Sequence, residues 1–340
     1  MLARCRHFLT DGIGAQHLTL IILIVLISTL MQFFFPLFLD PLNVETLLMN
    51  FFPEIIVSIG MTMVIITGGI DISVASVYAF AEIIVAKAMV EAGWDIVPAT
   101  LFTLFLCCLI GLMNGYLADI LSVHPMIVTM GTLLTLRGVN LAITDGRAVS
   151  GYSDAFAFLG QGHLWFFPIP ILVAIVLAII FGYLLNNHRY FRQIYFIGGN
   201  EKAARVSGVN VRWVKVSVYV ICSFLAGLAG VLGASKYGAA HWGHGNMMEM
   251  KAIAAVAVGG ANLNGGSGSI GATMLGVCFL AIVNNAFYIA RVETFWYDVV
   301  NGGMLVLAVA FSLYVNHRNE IKLINQKIRA SNRVEMEANQ

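Results

Sequence analysis

The chain has 340 residues, 59% of them hydrophobic and only 11% charged, with a formal net charge of +1. A soluble domain carries about 25% charged residues, so this composition excludes a water-soluble globule. The near-neutral balance points to no polyanionic partner, and no nucleic acid is expected to bind.

The apolar residues fall in blocks near about 20 residues, the length of a helix that crosses a bilayer core. Short segments of alternating polarity, the mark of a membrane β-barrel, are missing from the sequence. The fold class is therefore read as all-α and polytopic, with about ten transmembrane helices. They are expected near 18–38, 46–67, 72–90, 97–119, 125–143, 168–186, 213–235, 249–261, 270–289 and 294–315. Residues 1–17 carry Arg4 and Arg6 and read as a cytoplasmic N-terminal segment. No small-residue cleavage pattern follows the first block, which reads as an uncleaved span. The transmembrane domain is taken as 18–315 and the polar stretch 316–340 as a cytoplasmic tail.

Two sites interrupt apolar spans with glycine and polar residues. The first is Thr67-Gly68-Gly69-Ile70-Asp71-Ile72-Ser73; the second runs from Gly259-Gly260-Ala261-Asn262-Leu263-Asn264 to Ser269. Each reads as apolar helix, Gly-Gly, polar cluster, apolar helix, which makes a weak internal repeat. Glycine lets the backbone leave the helix, and the freed backbone groups must be buried in protein or line a wet cavity. Transporters place such broken helices around the solute path, although each break also fits an ordinary tight turn at a membrane surface. Asp71 has three readings: a cap for the helix after it, a solute contact, or a proton site. Glu82, about three turns further on, reads as facing either the buried side of the same helix or a subunit contact.

The outer connection 144–167 carries Trp165, Phe166 and Phe167, which suit a headgroup zone. The segment near 187–212 and its continuation hold Arg189, Arg192, Lys202, Arg205, Arg212 and Lys215. Basic loops stay on the cytoplasmic side, so head, central loop and tail are expected inside, as an even number of spans requires. Within the loop a short helix is expected from about Glu201 to Ser207, bounded by Gly199-Asn200 and Gly208. His241 and His244 are three apart, but glycines surround them and no third ligand is near. They are read as exposed or as touching a periplasmic partner, and no metal is assigned. Four of the five cysteines lie in apolar blocks and read as packing residues.

Four stretches resemble the sugar-type permeases of bacterial ABC importers, the ribose, xylose, galactose and autoinducer-2 permeases related to branched-chain amino-acid permeases. They are Met63 to Val74 with its Gly-Gly-Ile-Asp core; Gly111-Leu-Met-Asn114-Gly115 with His124-Pro125 to Thr132; Ile197-Gly198-Gly199-Asn200-Glu201 to Val211; and Glu249 through Gly259-Gly260 to Asn285. The resemblance implies that Gly198, Gly199, Asn200, Glu201, Ala204, Arg205 and Gly208 form the segment docking on a separate ATPase. It implies as partners two ATP-binding subunits, a second permease of the same or a paralogous chain, and a periplasmic solute-binding protein, at the bacterial inner membrane. The candidate translocation path is Thr67, Gly68, Gly69, Asp71, Ser73, Asn114, Asn262 and Asn264.

The sequence holds no phosphate-cradling Gly-Lys-Ser/Thr loop and no nucleophile-base motif. The chain is expected not to be an enzyme and to bind no cofactor itself, with ATP and magnesium on the partner. A ribose-like or autoinducer-2-like solute is the first reading. Nucleosides or branched-chain amino acids are the second, and a stand-alone proton-coupled transporter using Asp71 is the rival of another class.

Overall fold

The structure, a computed structural model, describes residues 12–120, 123–293 and positions 296–297, 299–300, 302–304, 306–307 and 310. Among the described residues, twelve helices are formed between residues 12 and 289. They are α1 (Gly12–Phe34), α2 (Pro41–Ile66), α3 (Val74–Val90), α4 (Ile96–Ile120), α5 (Pro125–Thr144), α6 (Asp154–Gln161), α7 (Ile169–Asn187), α8 (Arg189–Gly199), α9 (Glu201–Val206), α10 (Val211–Tyr237), α11 (Met248–Val258) and α12 (Ile270–Ile289). Two-residue strands make two small antiparallel pairs: β1 (Val149–Ser150) with β4 (Ala239–Ala240), and β2 (His163–Leu164) with β3 (Phe167–Pro168).

Among the described residues, seven helices are long and apolar enough to cross a bilayer: α1, α2, α4, α5, α7, α10 and α12. The chain is a multi-pass α-helical membrane protein. The expected spans at 72–90 and 249–261 appear as α3, of 17 residues, and α11, of 11 residues. At 1.5 Å rise per residue α11 is only about 16 Å long, because the second glycine break cuts it short. The expected span at 294–315 lies partly outside the described residues, and the tail 316–340 lies wholly outside them.

Local chemistry sets the helix starts. Pro41 and Pro125 occupy first-turn positions, where a missing N–H costs nothing. The Asp40 carboxylate accepts from the Leu42 N–H, and His124 Nδ1 accepts from the Met126 N–H. At the centre stands α10, packed on α2, α3 and α4. Gly111 and Gly115 of α4 admit it closely: a Cβ at Gly111 would lie 2.5 Å from the Tyr219 carbonyl oxygen, and one at Gly115 would lie 2.8 Å from Val216 Cα. This is the small-xxx-small contact of helices that meet without a hydrophobic drive between them.

Candidate functional site

The first break begins where α2 ends. Thr67 caps the helix and Gly68, at φ +82°, turns the chain. The second break follows α11 and folds on itself: Asn262 N–H donates to Ser267 O at 3.1 Å, and Gly265 N–H donates to Asn262 O at 2.8 Å. The Asn262 side chain also accepts from the Asn264 N–H at 3.0 Å, so Asn262 shapes the loop. Ser269 then caps α12 by accepting from Ala272 N–H.

The two breaks touch. Gly266 N–H donates to the Ile66 carbonyl at 2.8 Å. Gly198, near the end of α8, lies against both partners. A Cβ there would meet Ile66 O at 1.8 Å and Gly266 N at 2.4 Å. Tyr195 of α8 adds a hydroxyl hydrogen bond to Gly268 O at 2.9 Å. The basic central segment is therefore held on both breaks by backbone contact.

That segment forms as its capping chemistry dictates. Asn200 Oδ1 accepts from Ala203 N–H at 3.0 Å and starts α9. Ala204 is buried, whereas Val206 is 90% exposed, and Gly208, at φ +84°, lies just past the helix end. Glu201 accepts from Lys215 at 2.5 Å and from Arg205 at 3.0 Å. The Lys215 ammonium bonded to Glu201 holds its carboxyl below the usual range, with Arg205 adding to the effect. Arg212 pairs with Asp119, tying the start of α10 to the end of α4.

A largely polar cavity of about 1300 Å³ lies among these parts. Thr67, Gly68, Gly69 and Asn264 of the breaks line it, together with Gly198, Gly199, Asn200, Glu201, Arg205 and Gly208. Ala204 instead faces a second groove, between α8 and α9, beside Arg189 and Arg192.

Three of the sequence-derived candidates sit behind the cavity in one buried relay. Asp71 Oδ1 accepts from the Ser73 N–H at 3.0 Å and from its hydroxyl at 2.6 Å. Asn114 Nδ2 donates to Ser73 Oγ at 2.9 Å, and Thr132 donates to Asn114 Oδ1 at 2.6 Å. The chain of bonds pins α3, α4 and α5 to one another at the first break.

Sequence reasoning missed Thr132 and Tyr219 as members of this site. Tyr219 lines the cavity, and its hydroxyl would lie 2.5 Å from a Cβ on Gly69. Nothing in the local pattern separates it from an ordinary buried tyrosine. Glu82 is fully buried and meets His244 Nδ1 at 2.6 Å. Arg137 fixes the same loop through the carbonyls of Trp242, at 2.7 Å, and His244, at 3.0 Å. Among the described residues, no group of three metal-ligating side chains gathers.

A family described as "Branched-chain amino acid transport system / permease component" matches residues 43–309. The chain belongs to this family. The match takes in both breaks and the whole central segment of the permease. Among its relatives is a ribose import permease protein, RbsC, of Bacillus subtilis, 36% identical over 308 residues, covering 89% of this chain and 94% of the relative. A D-allose transport system permease protein, AlsC, of Escherichia coli is 30% identical, covering 82% and 86%. A xylose transport system permease protein, XylH, of the same species is 29% identical, covering 88% and 93%. No solved structure matches the permease.

Proposed function

We propose that this chain is the membrane-spanning permease subunit of a bacterial ABC importer for a monosaccharide. The observation that carries the reading is the shared identity along most of the chain with permeases named for ribose, allose and xylose. All three solutes are small, neutral and rich in hydroxyls, and a path for them needs scattered polar contacts, which Thr67 and Asn264 on the cavity wall offer. Asp71, Ser73 and Asn114 act as positioning residues that hold the first break in place, and Asn262 shapes the second.

In this account ATP and magnesium are handled by two separate ATPase subunits in the cytoplasm. They grip the segment from Gly198 to Gly208, and both termini of the permease lie on that side. The permease pairs with a second copy or a paralogue, and a periplasmic binding protein delivers the solute. Movement of α8 and α9 reaches both breaks at once, because Gly198 lies against Ile66 O and Gly266 N. The permease carries out no chemistry of its own.

The test is uptake into proteoliposomes holding the permease, its ATPase and its binding protein, offered ribose, allose, xylose, leucine or adenosine. ATP-dependent uptake of an aldose is the expected result. Uptake of leucine or adenosine alone would move the assignment to the second reading. Uptake by the permease alone, driven by a pH gradient, would overturn the ABC assignment.

A further inference from the structure

The cavity beside the two breaks is lined by one buried side chain whose polar atom is bare. Tyr219 is 2% exposed, and its hydroxyl has no hydrogen-bond partner. Asp71, behind the same wall, is fully buried, and its Oδ2 is bare as well, because Oδ1 alone takes both bonds from Ser73. Buried polar atoms without partners are costly and uncommon. The first break therefore holds a donor and an acceptor whose demand the protein does not meet.

The chain makes room for this hydroxyl. Gly69 does not adopt the left-handed conformation of Gly68, so the backbone there does not require glycine. A side chain at Gly69 would meet the hydroxyl itself: a Cβ would lie 2.5 Å from Tyr219 Oη, but 3.4 Å, an ordinary contact, from Cζ. A phenylalanine at 219 would pack the same ring and leave no polar atom bare. Packing alone does not account for the tyrosine.

The charged side chains nearer the start of α10 engage one another, Arg212 with Asp119, and Lys215 and Arg205 with Glu201. Tyr219 lies eight residues past Val211, the first residue of α10, and so about 12 Å further along the helix. Beyond the paired charges it presents a neutral donor on the cavity wall. A neutral solute rich in hydroxyls uses such a donor. A charged solute would lose more hydration than one phenol returns.

We propose that the Tyr219 hydroxyl is a solute contact, donating to one hydroxyl oxygen of the aldose as it passes the first break. This contact rests on the sugar reading above, and it distinguishes a hydroxyl from a bare carbon at one position of the solute.

Tyr219→Phe tests it in proteoliposomes holding the permease, its ATPase and its solute-loaded binding protein. Ribose, allose and xylose are offered first, then the monodeoxy analogues of the one carried. The variant removes only an unpaired hydroxyl, so its melting temperature is expected to stay at or above that of the unmodified chain. Its uptake of the full aldose is expected to fall about three- to tenfold, the loss of one hydrogen bond. For one monodeoxy analogue, the one lacking the partner hydroxyl, the variant and the unmodified chain are expected to carry at equal rates, because the two deletions remove the same bond. The binding protein is common to both arms, so its own preference cancels. Unchanged uptake of the full aldose would overturn the proposal and leave the hydroxyl to a bound water. An equal fall for the aldose and all of its analogues would overturn it too, as would a lowered melting temperature, since either marks a structural role. No uptake of any aldose by the unmodified complex would overturn the sugar reading itself, and this contact with it.

Discussion

Gly266 N–H donates to the carbonyl oxygen of Ile66 at 2.8 Å, joining two chain breaks that lie 200 residues apart. The last carbonyls of a helix have no partner within it, and here the second break supplies one. Gly198 lies against both ends of this bond. A force applied to the central segment therefore needs no intermediate element to reach either break.

A methyl group at Gly198 has no room, since it would fall 1.8 Å from Ile66 O and against backbone that cannot swing aside. Gly198→Ala is expected to cost about 1–3 kcal/mol, the usual range for over-packing, and to uncouple ATP hydrolysis from uptake. Gly199→Ala, with nothing within 4 Å of its Cβ position, is expected to leave both near wild type. Thermal melting of the purified chain and the number of ATP consumed per solute measure the two effects. Equal behaviour of the two variants would contradict the junction.

The relay at the first break separates the importer reading from a proton-coupled one. Asp71→Asn retains an oxygen for the Ser73 N–H and hydroxyl, so most of the stability and the ATP-driven uptake are expected to remain. Asp71→Leu strands two buried donors and is expected to cost about 1–3 kcal/mol per stranded group. A proton-coupled transporter would lose uptake in both variants, and vesicle uptake at fixed ATP discriminates the two outcomes.

Much of this was legible in the sequence. The Gly-Gly breaks and the short helix bounded by Gly199-Asn200 and Gly208 are local features, written in neighbouring residues. The relay was not legible, because Asn114 and Ser73 are 41 residues apart and hydropathy reports burial without naming a partner. The same holds for Glu82 and His244, separated by 162 residues. The shortness of α11 was visible as a short apolar block. The contact of Gly198 with both breaks required three distant backbones to be brought together, which no periodicity encodes.

His244 is the partner of a carboxylate that has no access to water. Removing it in His244→Ala takes away the ring nitrogen that stands 2.6 Å from the buried Glu82 carboxyl, which is expected to cost about 1–3 kcal/mol. The double variant with Glu82→Gln is expected to recover a substantial part of the loss. A double variant no more stable than His244→Ala alone would show that the pair carries little of the stability of this loop.

The ion triad on α9 gives a pH signature. Lys215 and Arg205 depress Glu201 below its usual range, so their contribution is fully present above the unfolded carboxylate value of about 4.3. It is lost as pH falls through the lower folded value. Glu201 is 41% exposed in its side chain, so solvent screening limits the effect to about 1 kcal/mol or less. The hydrogen-exchange protection of residues 201–206, measured relative to the intrinsic amide rate at each pH, is expected to fall between pH 5 and pH 3, and Lys215→Met is expected to flatten that response. A response unchanged by Lys215→Met would assign it to other groups.

The central claim is that the segment from Gly198 to Gly208 faces the cytoplasm and is the part gripped by the ATPase. Val206, at 90% exposure, is the position to probe, as Val206→Cys in a background lacking the five native cysteines. A membrane-impermeant maleimide is expected to label it in inverted vesicles only, and bound ATPase subunits are expected to shield it. Labelling in right-side-out vesicles, or labelling unaffected by the ATPase, would contradict the account.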